Sequence, residues 1–500
     1  MATEKDLTWE FLHGVNETLD SYRVRALIDA KKDILEAGIY NESQYYDILF
    51  KMVDEERLKY ALYEFLKVNQ ENNLEVLKIY AQENSIEFNK VLSFLELLKN
   101  EKLINVEEIY DKIEGDENTP DKSIFKDLSI TISEIDGNDI SKIKPIYEPV
   151  KVIFDSKVCS GCGMCEGICP VDCITLSNGY GKIDDDICIR CGLCYLVCPR
   201  TFLPIKVLNM TQESASEIKD YGKVGVFKEA YVARTKVKEI SEVCQDGGVS
   251  STVLHYLFEN GKIDLAFGAK MSDDPWRPEP MMLTRKEDII STAGTKYVNN
   301  PNLKLLKEKG LGEKKLAVVG VPCQMQALLK SGIYDISIPS FNSVEYRIGI
   351  FCMESFSYEG LLKIYETLNI DANDVKKTDI NKGKFFVYPK NSEPLSIPIK
   401  EINHLARHDC ELCFDLTSES ADLSVGSIGA PTGWNMVLIR TEKGKELYEG
   451  LIKADLIESK DVKDVKPGLP MLQKIAGIKK NGCNKHITAK KEANERYPEY

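Results

Sequence analysis

Cys159-Ser160-Gly161-Cys162-Gly163-Met164-Cys165-Glu166-Gly167-Ile168-Cys169-Pro170 is answered further along the chain by Cys188-Ile189-Arg190-Cys191-Gly192-Leu193-Cys194-Tyr195-Leu196-Val197-Cys198-Pro199. Each run reads C-x2-C-x2-C-x3-C-P. A short glycine-containing loop of this kind folds three thiolates around one face of a metal–sulfur core and aims its amides at the sulfurs; the proline ends the loop. The flanks repeat too: Lys157-Val158 matches Asp186-Ile187, and Ile174 matches Leu203 behind the runs. A pair of structural zinc ribbons would need only C-x2-C pairs, four ligands each, and no closing proline.

The spacing is that of a two-cluster bacterial ferredoxin, in which the fourth cysteine of each run serves the other run's cluster. It assigns Cys159, Cys162, Cys165 and Cys198 to one [4Fe–4S] cluster and Cys188, Cys191, Cys194 and Cys169 to a second. Cys173 falls outside the pattern and reads as packing. The segment 149–207 is expected to be a small α+β ferredoxin-like domain.

Five hundred residues leave room for three or more domains, and 43% hydrophobic residues suffice for ordinary cores. No apolar run is long enough to span a membrane, and the opening Met1-Ala2-Thr3-Glu4-Lys5-Asp6 lacks the regions of a signal peptide. A soluble, cytoplasmic protein is expected. Fifteen cysteines fit a reducing compartment in which thiolates hold metal.

Residues 1–113 read as an acidic all-α domain. Apolar positions recur at helical spacing in Tyr22–Ile28, Tyr46–Val53 and Val91–Leu98, and Asn41 and Asn84 resemble helix starts. Met1–Pro120 carries 26 acidic against 14 basic residues, which excludes a phosphate-binding, nucleic-acid surface; docking of a protein partner and a merely solvated acidic bundle both remain open. The turn-rich stretch 114–148 reads as a linker, and Met210–Tyr221 as another. From 223 to 475 strand-like runs alternate with helical ones: Ala230–Arg234, Leu265–Phe267, Leu316–Val319, Arg347–Phe351, Phe385–Tyr388 and Met436–Ile439, with helices at Val249–Glu259, Asn302–Lys309, Cys323–Lys330 and Tyr358–Thr367. The chain is thus multidomain α/β: an N-terminal all-α domain, a small α+β ferredoxin-like domain and a C-terminal α/β domain. The basic tail 476–500 reads as a solvated end.

Neither a G-x-G-x-x-G after a strand nor a G-x4-G-K-[ST] loop occurs. Instead, Cys244-Gln245-Asp246-Gly247-Gly248, Gly294-Thr295-Lys296-Tyr297, Gly320-Val321-Pro322-Cys323-Gln324, Ile350-Phe351-Cys352-Met353-Glu354, His404-Leu405-Ala406-Arg407 before Cys410-Glu411-Leu412-Cys413, Ala421–Gly429 and Gly433-Trp434 follow one another in order. From about 225 to 445 the chain resembles the coenzyme F420 hydrogenase/dehydrogenase beta-subunit family. The resemblance implies FAD in the α/β domain, F420 docked on its isoalloxazine as substrate, one further [4Fe–4S] cluster near the flavin, and a methanogenic archaeon as host. The residues are compatible with that third cluster: Cys323, Cys352, Cys410 and Cys413 lie at strand-to-helix turns or in a C-x2-C pair, and strand ends of an α/β sheet cluster in space. Scattered cysteines as buried hydrophobes are the plain alternative. Cys244 is a reserve ligand or faces the flavin.

Gly247, Gly248, Gly426 and Gly429 are candidates to bring backbone amides against the flavin or its pyrophosphate. Ser250 joins them, and Thr295, Lys296 and Tyr297 are candidates for FAD phosphate or an anionic flavin. An ordinary solvated turn is the bland reading of Lys296. No catalytic acid or base is demanded by hydride transfer. The implied route runs in either direction between F420, FAD, the clusters and a protein redox partner: a hydrogenase, a formate dehydrogenase, a heterodisulfide reductase-like protein or a ferredoxin. Two rival readings remain: a ferredoxin-dependent flavin reductase of an organic substrate, and a non-catalytic electron-relay subunit.

Overall fold

A computed structural model of the chain describes, with short gaps, residues 62–132, 150–203 and 223–500. The helical runs expected before residue 62, most of the linker expected at 114–148, the Met210–Tyr221 link and Cys191 lie outside the described residues. Two compact units separate: the described residues before 148 fall in the smaller, those from 150 onward in the larger.

In the smaller unit, helix α1 (Leu74–Glu83) starts at Asn73, whose side chain accepts from the Val76 amide at 3.1 Å, and ends at Asn84, whose amide and side chain both donate to the Tyr80 carbonyl. Asn84 therefore stops a helix where the sequence suggested a start; an asparagine can bond backward to a helix carbonyl as readily as forward to an amide. The all-α expectation is also corrected. Strand β1 (Ile104–Ile113) pairs antiparallel with β2 (Lys122–Ile132), Ile104 opposite Ile132. Ile104, Val106, Leu128, Ile130 and Ile132 sit at every second position and pack with Leu66, Leu77, Phe94 and Leu95. β-Branched residues at period two favour a strand over one more helix turn. The polar Glu114–Pro120 stretch, read as the start of a linker, lies between these two strands in sequence.

The larger unit is built on an eight-stranded mixed sheet. Its strands are β5 (Glu229–Thr235), β6 (Leu265–Met271), β7 (Pro278–Leu283), β8 (Leu316–Gly320), β9 (Val344–Ile350), β13 (Leu423–Gly426), β14 (Asn435–Ile439) and β15 (Ile457–Asp461), in the order β15-β5-β14-β13-β9-β8-β6-β7. All six strand-like runs read from the sequence fall on strands, five of them here, with Phe351 one residue past the end of its strand; β13 and the antiparallel edges β7 and β15 were not foreseen. The neighbours β13-β9-β8-β6 are parallel. Alternation decides the faces of β14: Val437 and Ile439 pack beneath the helix α2 (Val249–Glu259), whereas Met436 and Leu438 face Leu472 and Ala476. The 302–307 segment is a tight three-residue-per-turn helix, shorter than the helix expected. A separate antiparallel sheet of β10 (Val375–Asn381), β11 (Lys384–Pro389) and β12 (Leu395–Pro398) packs Phe385 and Val387 with Val298 and Phe356.

The cysteine-rich segment carries a short hairpin, β3 (Ile174–Ser177) with β4 (Tyr180–Ile183), and belongs to the same compact unit as the large sheet. The basic tail is not a solvated end. Helix α3 (Gly468–Glu492) buries Leu472, Ala476, Lys479 and Cys483, which recur on one face at helical spacing, and the intervening lysines concealed that stripe. The terminal Tyr500 hydroxyl donates to the Leu412 carbonyl at 2.6 Å. No helix among the described residues is long and apolar enough to cross a membrane.

Candidate functional site

The Cys159–Cys165 loop turns through left-handed glycines, Gly161 at φ 64° and Gly163 at φ 92°. A Cβ on Gly163 would stand 2.6 Å from the Pro301 carbonyl, so only glycine lets the loop close on the 301–304 segment. Amides point at sulfur as the spacing suggested: Gly161 N–H to Cys159 Sγ at 3.3 Å and Arg200 N–H to Cys198 Sγ at 3.4 Å. Burial pushes the Cys159 and Cys162 thiols up to about 12, and charge repulsion from Cys198 adds to both. Cys165 is raised by burial and by Cys159, Cys162, Cys198 and Cys194. The structure thus brings Cys159, Cys162, Cys165 and Cys198 together as a first group.

In the second group, Cys169 and Cys188 are half-buried, and Cys194 lies close enough to raise Cys165. Cys173, read as packing, has its sulfur 3.4 Å from that of Cys169; its thiol is raised by burial first and then by Cys169 and Cys188. Sequence spacing missed it because it lies four residues beyond the last cysteine of the run, where a turn through Asp172 at φ 53° folds the chain back.

The third group forms along one edge of the large sheet. β8 ends at Gly320, shortly before Cys323; β9 ends at Ile350, two residues before Cys352; and both strands run parallel, so their ends share that edge. The Cys352 amide bonds the Leu416 carbonyl at 2.8 Å, and the Ser355 amide donates to Cys410 Sγ at 3.4 Å, which ties the C-x2-C pair to the edge. Burial pushes Cys352 and Cys410 up to about 12, and Cys352 also feels Cys410 and Cys413. Cys323 is raised by burial and by Cys413 and Cys352. Cys244 stands apart: its thiol donates to the Asp246 carbonyl at 2.9 Å, and its charged neighbours are Asp246 and Lys377.

Three buried cations that sequence reasoning did not single out surround these sulfurs. Lys479 Nζ donates to the Cys352 carbonyl at 2.5 Å, and Lys330 Nζ to the Cys198 carbonyl at 2.7 Å. Arg200 is 1% exposed. Burial alone would weaken the charge on Lys479, but Cys413, Cys352 and Cys410 more than offset it. For Lys330 and Lys479 the sequence signal was a lysine inside otherwise apolar positions of a helix; Arg200, in the turn after Pro199, carried none. Among the described residues no three His, Cys, Asp or Glu side chains close on a single-ion position. The donor set instead suits a metal–sulfur cluster: thiols forced together in a dry site need a metal core to hold them as thiolates, with cations nearby to offset their charge.

The glycine candidates are explained first by packing. A Cβ on Gly247 would meet the Ala233 carbonyl at 2.6 Å, one on Gly426 the Phe351 ring at 2.1 Å, one on Gly248 the Thr235 methyl at 2.9 Å, and one on Gly429 the Gly468 carbonyl at 2.7 Å. Ser250 lies in the first turn of α2. Polar contacts link the Gln245 and Thr295–Tyr297 turns to β10. Gln245 accepts from the Thr295 amide at 3.4 Å and donates to Asp379 at 3.2 Å; the Tyr297 hydroxyl accepts from the Ile380 amide at 3.1 Å. Lys296 Nζ donates to the carbonyls of Thr292, Ala293 and Gly294, at 2.7, 2.9 and 3.2 Å. Among the described residues no carboxylate pairs with it, and burial pushes its pKa down to about 8. An inward lysine without a counter-ion suits an anionic ligand such as a flavin phosphate.

Residues 230–307 and 313–465 match the families describing, respectively, the N-terminal and the C-terminal parts of the coenzyme F420 hydrogenase/dehydrogenase beta subunit, and residues 158–203 match "4Fe-4S dicluster domain". The chain is 36% identical over 273 residues to the coenzyme F420 hydrogenase subunit beta of Methanothermobacter thermautotrophicus, covering 54% of this chain and 97% of that one. It is 34% identical over 340 residues to a subunit of the F(420)H(2) dehydrogenase of Methanosarcina mazei, 67% of this chain and 93% of the other. A chain of the F420-reducing [NiFe] hydrogenase complex of Methanosarcina barkeri superposes with a TM-score of 0.53 at 37% identity, over 55% of this chain and 96% of that chain.

Proposed function

Because the chain belongs to the coenzyme F420 hydrogenase/dehydrogenase beta-subunit family, we propose that it is an F420-linked oxidoreductase, or the F420-reactive subunit of one, whose Gly294–Tyr297 turn holds FAD beside F420 and whose three cysteine groups hold [4Fe–4S] clusters. FAD bound there would supply the conversion between the hydride of F420 and the single electrons that clusters carry. Lys296 offers its cation to a phosphate or an anionic ring, and Tyr297 is pinned beside it by the Ile380 amide. Cys323, Cys352, Cys410 and Cys413 gather at the sheet edge, where Lys479 and Arg200 offset their charge.

One observation carries the reading: Cys323 is the cysteine whose charge Cys162 feels most, so the third group abuts the first, and Cys165 feels Cys194 of the second. The groups form a series from the sheet edge through the first group to the second. At the far end of that series a protein partner, of the hydrogenase, formate dehydrogenase, heterodisulfide reductase or ferredoxin kind, exchanges electrons.

The test is anaerobic mixing of the purified protein with reduced F420, NADH or reduced ferredoxin, followed by absorbance and EPR. Flavin bleaching by reduced F420 alone, followed by cluster signals, supports the reading; bleaching by ferredoxin alone removes F420 from it. In Cys410→Ala/Cys413→Ala, F420 still bleaches the flavin, iron falls by about four atoms per chain, and the remaining clusters stay oxidised. Unchanged iron refutes the third-group assignment.

A further inference from the structure

Between the first and third cysteine groups lies a closed charge triad. Arg200, Arg407 and Asp409 are 1%, 2% and 4% exposed. Asp409 faces both arginines: its Oδ1 takes Arg407 Nε at 2.9 Å, and its Oδ2 lies 3.7 Å from Arg200 Nη2. Two positive charges and one negative leave a net positive wedge in the dry interior, where charge is expensive unless something opposes it.

Hydrogen bonds to backbone fix the wedge in place. Arg200 donates to the Leu412 and Asp409 carbonyls, each at 3.3 Å, and to the Tyr500 hydroxyl. Arg407 donates to the carbonyls of Cys159 and Gly179 at 2.7 and 2.9 Å and stacks over the Tyr180 ring. Each arginine nevertheless keeps one buried nitrogen without a hydrogen-bond partner, Nε of Arg200 and Nη1 of Arg407. Buried donors are rarely left so unless a charge nearby holds them.

Each arginine also touches both groups electrostatically. Arg200 acts on Cys198 of the first group and on Cys323 and Cys413 of the third. Arg407 acts on Cys159 of the first and Cys410 of the third. Lys330 acts on Cys198, and Lys479 on Cys352, Cys410 and Cys413.

We propose that Arg200, Asp409 and Arg407 are a shared tuning wedge that raises the reduction potentials of the clusters held by the first and third cysteine groups together, keeping the two matched for one-electron exchange. The inference rests on the cluster reading above. The physical reason is that reduction adds negative charge to a cluster, so a fixed positive charge beside it favours the reduced form. One electron leaves one cluster and enters the other, so a charge that acts on both groups shifts the two potentials in the same direction and limits the gap between them. The three residues are positioning residues and do not meet substrate.

The test is a mediated redox titration of the anaerobic holoprotein followed by EPR, the third-group signal being identified by its loss in Cys410→Ala/Cys413→Ala. Arg200→Gln and Arg407→Gln are expected to lower both potentials, by a tenfold or greater change in the reduced-to-oxidised ratio at fixed poise, about 59 mV for a one-electron couple. Asp409→Asn is expected to raise both, and Arg200→Lys to restore most of the loss. Opposite signs are the discriminating result, because damaged packing has no reason to reverse with charge. Should one arginine variant fail to fold, the other and Asp409→Asn carry the same test. Shifts confined to one cluster, or of one sign in all three variants, overturn the proposal. Wild-type protein short of the iron for these clusters removes the cluster reading itself, whereas full iron with unmoved potentials overturns the wedge alone.

Discussion

Lys296→Met should make the ligand-free protein more stable while weakening its hold on flavin. Lys296 Nζ has only backbone carbonyls as partners among the described residues, and burial lowers its pKa from 10.5 to about 8. Below about pH 8 both folded and unfolded chains carry the ammonium, and the cost of enclosing it is present in full. As pH rises from about 8 toward 10.5 the folded lysine loses its proton first, the unfolded chain binds more protons, and stability rises with pH. At about 1.36 kcal/mol per pKa unit the cost has a ceiling of about 3 kcal/mol. The side chain is only half-buried and its three carbonyl acceptors favour the charged form, which brings the expected gain in Lys296→Met to about 1–2 kcal/mol at pH 7. An anion docking on the ammonium raises its pKa again. If the rise is about one unit, binding at pH 8 takes up about 0.4 proton per site. Calorimetry of FAD binding to the apoprotein at pH 8, in two buffers of different ionisation enthalpy, reads that uptake directly. Loss of a charge-assisted bond in Lys296→Met should weaken FAD by about 10–100-fold. Equal affinity in wild type and variant, with no proton uptake in the wild type, refutes the placement of an anion on Lys296.

Gly426→Ala puts a methyl 2.1 Å from the Phe351 ring and should cost about 1–3 kcal/mol, seen as a lower Tm. Tyr500→Phe removes a hydroxyl that serves both Arg200 and the Leu412 carbonyl; the carbonyl keeps its bond from Arg200, but one buried guanidinium N–H loses its acceptor, which should cost about 1–3 kcal/mol, measurable in urea. Arg440, 0% exposed, donates to Ser424, Val226, Val224 and Thr417, so Arg440→Met strands several acceptors at once and should cost about 3 kcal/mol or more. A Tm within a degree of wild type would contradict that accounting.

The parts legible in the sequence were those whose signal is local. Cys159, Cys162 and Cys165 read as one group because a loop of this length has few ways to fold, and Met436–Ile439 read as a strand because a continuous apolar run buried on both faces needs no partner to be recognised. Cys173 did not read as part of its group, because a turn beyond Pro170 brings it back beside Cys169 by a route that spacing does not encode. The hairpin at 104–132 was lost because its period-two pattern is short and interrupted by charge, and β7 and β15 because edge strands tolerate polar residues.

The chain carries its chemistry in local patterns: two runs of thiolates, a C-x2-C pair, a Gly-Thr-Lys-Tyr turn and alternating strand-like and helical runs, each set by bond lengths, ring sterics and side-chain period over a few residues. The company these groups keep is set by the folded chain. Cys323 lies against Cys162, Arg200 and Arg407 stand between two cysteine groups, and Lys479 is carried into the same interior by a helix that looked like a solvated tail. Charge acts through space while sequence orders residues along a line, and the parallel strands that bring distant turns to one edge are what convert the one into the other.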